Sequence, residues 1–148
     1  MFILDVAGDE VYSDITDVHL ARHDASSIVI CYDVTNKSSL TSLKRWMNHW
    51  RSYDKARSQH TGLLPVAIVG LKSDLTSRRL ITSKQGENLV QKLKTQSGLK
   101  SIKYFEASCK KPSTAVEVFS WLGDSILKLN NQQQTRNVIK MMDDPVVE

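Results

Sequence analysis

Four apolar runs limit what this chain can fold into: Phe2-Ile3-Leu4, Ser27-Ile28-Val29-Ile30-Cys31-Tyr32, Leu64-Pro65-Val66-Ala67-Ile68-Val69-Gly70 and Ser101-Ile102-Lys103-Tyr104-Phe105-Glu106-Ala107. A strand with one wet face alternates apolar and polar residues. Near-continuous, β-branched runs instead fit strands covered on both faces, as in a parallel sheet under helices. No run approaches the roughly 20 apolar residues of a membrane span.

Helical patterns lie between the runs. Leu40, Leu43, Met47 and Trp50 recur at three and four residues and make one apolar face. Thr82 and Gln85 form a capping box ahead of Leu89, Val90 and Leu93, and Ser97-Gly98 supplies a stop. Thr114 and Glu117 read as a second box, opening a helix with the face Val116, Phe119, Leu122, Ile126 and Leu129. Strand and helix therefore alternate, which predicts an α/β domain, a mostly parallel sheet with helices on both faces. It is expected to span residues 1–131, followed by a flexible polar tail over 132–148.

Composition narrows the setting. With 148 residues, 41% of them hydrophobic and 24% charged, the chain can bury a core of its own. The net charge of +4 comes from scattered lysines and arginines without interleaved aromatics, which argues for solvated helix surfaces and against nucleic acid. The start, MFILDVAGDE, lacks the basic stretch of a signal peptide, and Cys31 and Cys109 read as free thiols. Cys31 is expected to be an inert core thiol. His19 and His23, four apart, have no third ligand in the pattern and read as surface histidines, as do His49 and His60.

In open α/β sheets ligands bind beyond the carboxyl ends of the strands. Asp5-Val6-Ala7-Gly8 follows the first run, Lys72-Ser73-Asp74 the third and Ser108-Cys109-Lys110 the fourth. Each is weak alone. Together, in this order, they are specific, because polar residues at the ends of buried strands are hard to explain as packing.

This constellation resembles the Ras-like small GTPases, and the wording is nearest the Rab branch. The resemblance covers Asp5-Val6-Ala7-Gly8-Asp9-Glu10, Tyr32-Asp33-Val34-Thr35, Val69-Gly70-Leu71-Lys72-Ser73-Asp74-Leu75 and Glu106-Ala107-Ser108-Cys109-Lys110. It implies a P-loop NTPase G domain binding GTP or GDP with Mg²⁺. Asp74 would accept two hydrogen bonds from the guanine edge, where adenine offers no matching donors. The stems of Lys72 and Lys110 would flank base and ribose, and Ser108 and the Cys109 N–H complete the base side. Asp5 would hold Mg²⁺ through water. Gly8 would sense the γ-phosphate and order Asp9 to about Ala21 as a switch.

Three departures argue for slow hydrolysis or none, so no catalytic residue is assigned. Asp9 stands where the family has the glutamine that orients the attacking water, and it would repel a phosphate. Leu71 replaces an asparagine that ties the base site to the phosphate loop. No G-x-x-x-x-G-K-[ST] occurs in the chain. The resemblance places that loop and the strand before it centrally in the sheet, so the domain is expected to be partial. Its first strand or strands and P-loop are missing, and the expectation is truncation ahead of Met1.

A narrower resemblance, to Rab-like subunits of the intraflagellar transport B complex, rests on Phe2–Ser13, Lys55–Gln59 and Ser73-Asp74-Leu75 followed by Arg78-Arg79. It implies a cytoplasmic, ciliary setting and a partner such as a small β-sandwich intraflagellar transport protein. With Cys109 the last cysteine, it also implies no lipid anchor of the chain's own. Two functions fit these residues: a Rab-like nucleotide switch in trafficking, or a nucleotide-free interaction module in a multisubunit complex. Asp74 and Lys110 favour the first, while Leu71 and the absent phosphate loop favour the second.

Overall fold

The computed structural model describes residues 2–6, 8, 18–19, 22–56, 64–97, 99 and 101–143, with the backbone alone for 136–143. Its elements are β1 (Ile28–Asp33), α1 (Lys37–Ala56), β2 (Val66–Leu71), a short 3-10 turn (Thr76–Arg78), α2 (Ser83–Ser97), β3 (Ile102–Ala107) and α3 (Ser113–Asp143). Both strand pairs are parallel, in the order β1-β2-β3, with Ile28 opposite Val66 and Val66 opposite Ile102.

The central strand shows why its run is continuously apolar. Side chains alternate across a strand, and here both faces are covered. Val66 and Ile68 join Ile30, Tyr32, Leu43, Met47, Trp50, Val90 and Ile102 under α1 and α2. Ala67 and Val69 join Phe105, Ala107, Val118 and Leu122 under α3. Leu43, Met47 and Trp50 form the buried stripe of α1, each contributing about 1.5–3 kcal/mol relative to exposure. The α2 capping box is formed: Thr82 N–H donates to Gln85 Oε1 at 2.8 Å, and Gln85 N–H donates to Thr82 Oγ1 at 3.3 Å.

Three details depart from expectation. Phe2-Ile3-Leu4 is not a strand. No other strand pairs with it among the described residues, so no ladder holds it, and Phe2 is 77% exposed. Cys31 is exposed on β1 rather than sunk in the core. In α3 the buried face is Val118 and Leu122, with Phe119 and Trp121 beside them, while Val116 is 61% exposed. An apolar sequence with 3–4 spacing holds overlapping stripes, and contact with the sheet selects one. The same helix runs without a break across Gln132–Gln134 to Asp143. Among the described residues no helix is long and apolar enough to cross a membrane.

Candidate functional site

Parallel strands in register finish side by side. Leu71 lies opposite Ala107, which sets the loop after β2 against the loop after β3. The Ser73 N–H donates to the Ala107 carbonyl at 3.2 Å and carries the ladder one step into the loops.

Beyond that step three expected residues meet. The buried Ser108 hydroxyl donates to Asp74 Oδ1 at 2.5 Å and accepts the Lys110 N–H at 3.1 Å. Lys110 Nζ lies 3.4 Å from Asp74 Oδ2. The turn is pinned from behind, since Ser108 N–H donates to Thr114 Oγ1 at 3.1 Å and that hydroxyl donates to the Lys111 carbonyl at 2.6 Å. Thr114 therefore holds the loop from the first turn of α3, a different task from the helix cap expected of it. Cys109 is exposed in the same turn. The outcome is a solvent-facing carboxylate oriented by a buried hydroxyl. The Ser108 hydrogen bond, with a smaller contribution from Lys110, holds the Asp74 carboxyl below the usual carboxylate range. An ionised acceptor with both oxygens presented can take two adjacent donors, the pattern of a guanine edge.

Lys72 is placed differently from expectation. Its backbone is left-handed, with φ of 62°, and its Nζ lies 2.5 Å from Asp33 Oδ2. Asp33 Oδ1 accepts the Thr35 N–H at 2.8 Å and the Thr35 hydroxyl at 2.7 Å. Lys72 first, then Thr35, bring the Asp33 carboxyl down to about 2. Within Tyr32-Asp33-Val34-Thr35, nothing in the sequence pattern marks Asp33 for this pairing. Its register opposite Leu71 is what brings it to Lys72. Leu71 itself, 37% exposed, offers only an apolar side chain at the end of β2.

The phosphate-side residues are not gathered here. Asp5 is exposed, and its carboxylate adds to partial desolvation in pushing the Cys31 thiol up. The Gly8 carbonyl accepts Arg45 Nη2 of α1 at 3.2 Å, and nothing stands within 4 Å of where a Gly8 side chain would begin. Among the described residues no hydrogen bond or ion pair joins Asp5 or Gly8 to the base-side loops. Asp9 lies outside the described residues, as does most of the expected switch segment. Among the described residues no three His, Cys, Asp or Glu side chains cluster to hold a metal. His19 and His23 simply stack, centroids 6.0 Å apart.

The statistical description of the Ras family matches residues 1–128. The chain belongs to the Ras family. Among curated Ras-family relatives, the human Ras-related protein Rab-12 is 34% identical over 126 residues, 85% of this chain and 46% of that protein. The Dictyostelium discoideum Ras-related protein RabC is 27% identical over 138 residues, 93% of this chain and 63% of that protein. The Bos taurus intraflagellar transport protein 27 homolog is 39% identical over 90 residues, 59% of this chain and 43% of that protein. This Ras-family chain thus spans about half the length of the Rab-12 and intraflagellar transport relatives it matches. The parallel sheet and its flanking helices fit a partial Ras-like G domain.

Proposed function

We propose that this chain carries the guanine-recognising end of a Rab-like nucleotide switch acting in intracellular trafficking. The observation that supports it is the Asp74 carboxylate, ionised, exposed and aimed by the Ser108 hydroxyl beside Lys110. The base side fits a guanine, which would place its two donors on Asp74 and a carbonyl on the Cys109 N–H. The phosphate side does not fit among the described residues. One carboxylate at Asp5 and one glycine at Gly8, apart from the base loops, are too few to hold Mg²⁺ or a triphosphate. The reading therefore concerns base recognition and assigns no hydrolytic step. The relatives named for intraflagellar transport favour a ciliary transport complex as the setting, with protein partners.

A second reading has its own support. Leu71 is exposed and apolar at the end of β2, beside the base-side loop, and Lys72 is already engaged by Asp33. Both suit a G domain kept as a protein-interaction module.

Titrating the chain with guanosine, and separately with adenosine, while following backbone amide resonances separates the two. Guanosine is expected to shift the amides of 73–75 and 108–110, adenosine to leave them in place, and Asp74→Ala to abolish the shifts. Equal responses to both nucleosides, or none, would leave the interaction module as the reading.

A further inference from the structure

We propose that Arg79, gripped by Glu106 and backed by Tyr104 and Tyr32, is the positioning residue that holds the two base-side loops in register. This deepens the guanine reading above, on which its functional consequence rests.

Arg79 follows the 3-10 turn and is 18% exposed. Its two terminal nitrogens reach Glu106 in a fork, Nη1 to Oε1 at 2.7 Å and Nη2 to Oε2 at 2.8 Å. Nη1 also donates to the Ile81 carbonyl at 3.2 Å, and Nη2 to the Ser73 carbonyl at 3.4 Å. Ser73 is thereby held at both ends, its N–H on Ala107 of β3 and its carbonyl under Arg79. One residue further on stands Asp74, and two residues beyond Glu106 stands Ser108. A single planar cation touches the backbone next to the acceptor and the carboxylate next to its orienting hydroxyl.

The anchor is anchored in turn. The Tyr104 hydroxyl donates to Glu106 Oε1 at 2.7 Å and lies 3.1 Å from the Tyr32 hydroxyl. That chain runs from β1 across to β3, and Gly86 of α2 makes room for it. A Cβ at Gly86 would stand 2.4 Å from Tyr104 Cε2 and Cζ. Burial, first, and then the hydrogen bond with Tyr32 push the Tyr104 hydroxyl far up, so it remains a donor at any ordinary pH. Lysine could restore the charge at position 79 but not the fork, because it has no second nitrogen.

Amide hydrogen exchange on the full chain and on Arg79→Lys, Glu106→Gln and Tyr104→Phe tests the assignment without any ligand. Exchange at the Ser73 and Lys110 amides is expected to rise about tenfold in the first two variants and less in the third, with the Val66–Val69 amides unchanged. Guanosine titration of the same variants is expected to show weaker shifts in Arg79→Lys than in the parent chain. Unchanged exchange at Ser73 and Lys110 in folded Arg79→Lys would overturn the proposal. So would a uniform rise that includes β2, since that marks a role in global stability alone. If the exchange pattern changes as expected while the parent chain takes no guanosine, the positioning role stands and only the guanine reading fails.

Discussion

Ser108 and Asp74 stand 34 residues apart in the chain, yet the hydroxyl of one donates to the carboxylate of the other at 2.5 Å. The parallel register of β2 and β3 sets their loops side by side, and the burial of Ser108 keeps the bond from being exchanged for water. Ser108→Ala removes the main cause of the lowered Asp74 pKa, so that value is expected to move up toward the ordinary carboxylate range. Carboxyl-detected NMR titration reads the shift, and guanosine-induced amide shifts are expected to weaken in parallel. An unmoved Asp74 titration would show that the Ser108 hydroxyl is not what holds the carboxylate down.

Lys72 carries a second prediction. A non-glycine residue in the left-handed region costs about 1–2 kcal/mol, and its exposed pair with Asp33 returns about 0–1 kcal/mol. Lys72→Gly relieves the first while losing the second. Lys72→Ala loses the pair and keeps the strain. Urea unfolding is expected to place the glycine variant above the alanine variant by about 1 kcal/mol. The reverse order would show that the loop relaxes to another conformation without Lys72.

Gly86 carries a third. Alanine is the better helix former by about 1 kcal/mol, but here its Cβ would enter the Tyr104 ring. Overpacking of this kind costs about 1–3 kcal/mol, so Gly86→Ala is expected to lower stability on balance. The clashing atoms belong to the ring, not only to its hydroxyl, so Tyr104→Phe should not rescue it and Tyr104→Leu should. Thermal unfolding of the single and double variants checks both halves.

How much of this was legible beforehand follows from where each feature is encoded. The runs at Ile28–Tyr32, Val66–Val69 and Ile102–Phe105 became strands because burial on both faces leaves a mark in one stretch of sequence. The Thr82–Gln85 box is equally local. Asp74, Ser108 and Lys110 were legible as loop-end polar residues, and the structure brings those three together. Asp33 with Lys72 and Arg79 with Glu106 were not, since their meaning lies in register between strands and carries no pattern of its own. Thr114 misled for a related reason. Its threonine-to-glutamate spacing imitates a cap, while its hydroxyl is spent on the Ser108 N–H of a neighbouring loop. Phe2-Ile3-Leu4 has strand composition, but composition cannot supply the ladder a strand needs.

The acid limb of stability follows from Glu106 and Asp33. Arg79, above all, brings Glu106 from 4.5 to about 2, and Lys72, above all, brings Asp33 from 3.8 to about 2. Both folded values lie below the unfolded ones, so the stability they contribute is fully present above about pH 4.5 and is lost as pH falls toward 2. The two should part on adding salt. The Asp33–Lys72 pair has a lysine 56% exposed and is screened, whereas both partners of Arg79–Glu106 are mostly covered. Acid unfolding followed by circular dichroism is expected to show a slope between pH 4.5 and 2 that Glu106→Gln flattens at any ionic strength. Asp33→Asn should flatten it only at low salt. A slope in Glu106→Gln equal to that of the parent would show that the Arg79 fork contributes nothing to folding through its charge.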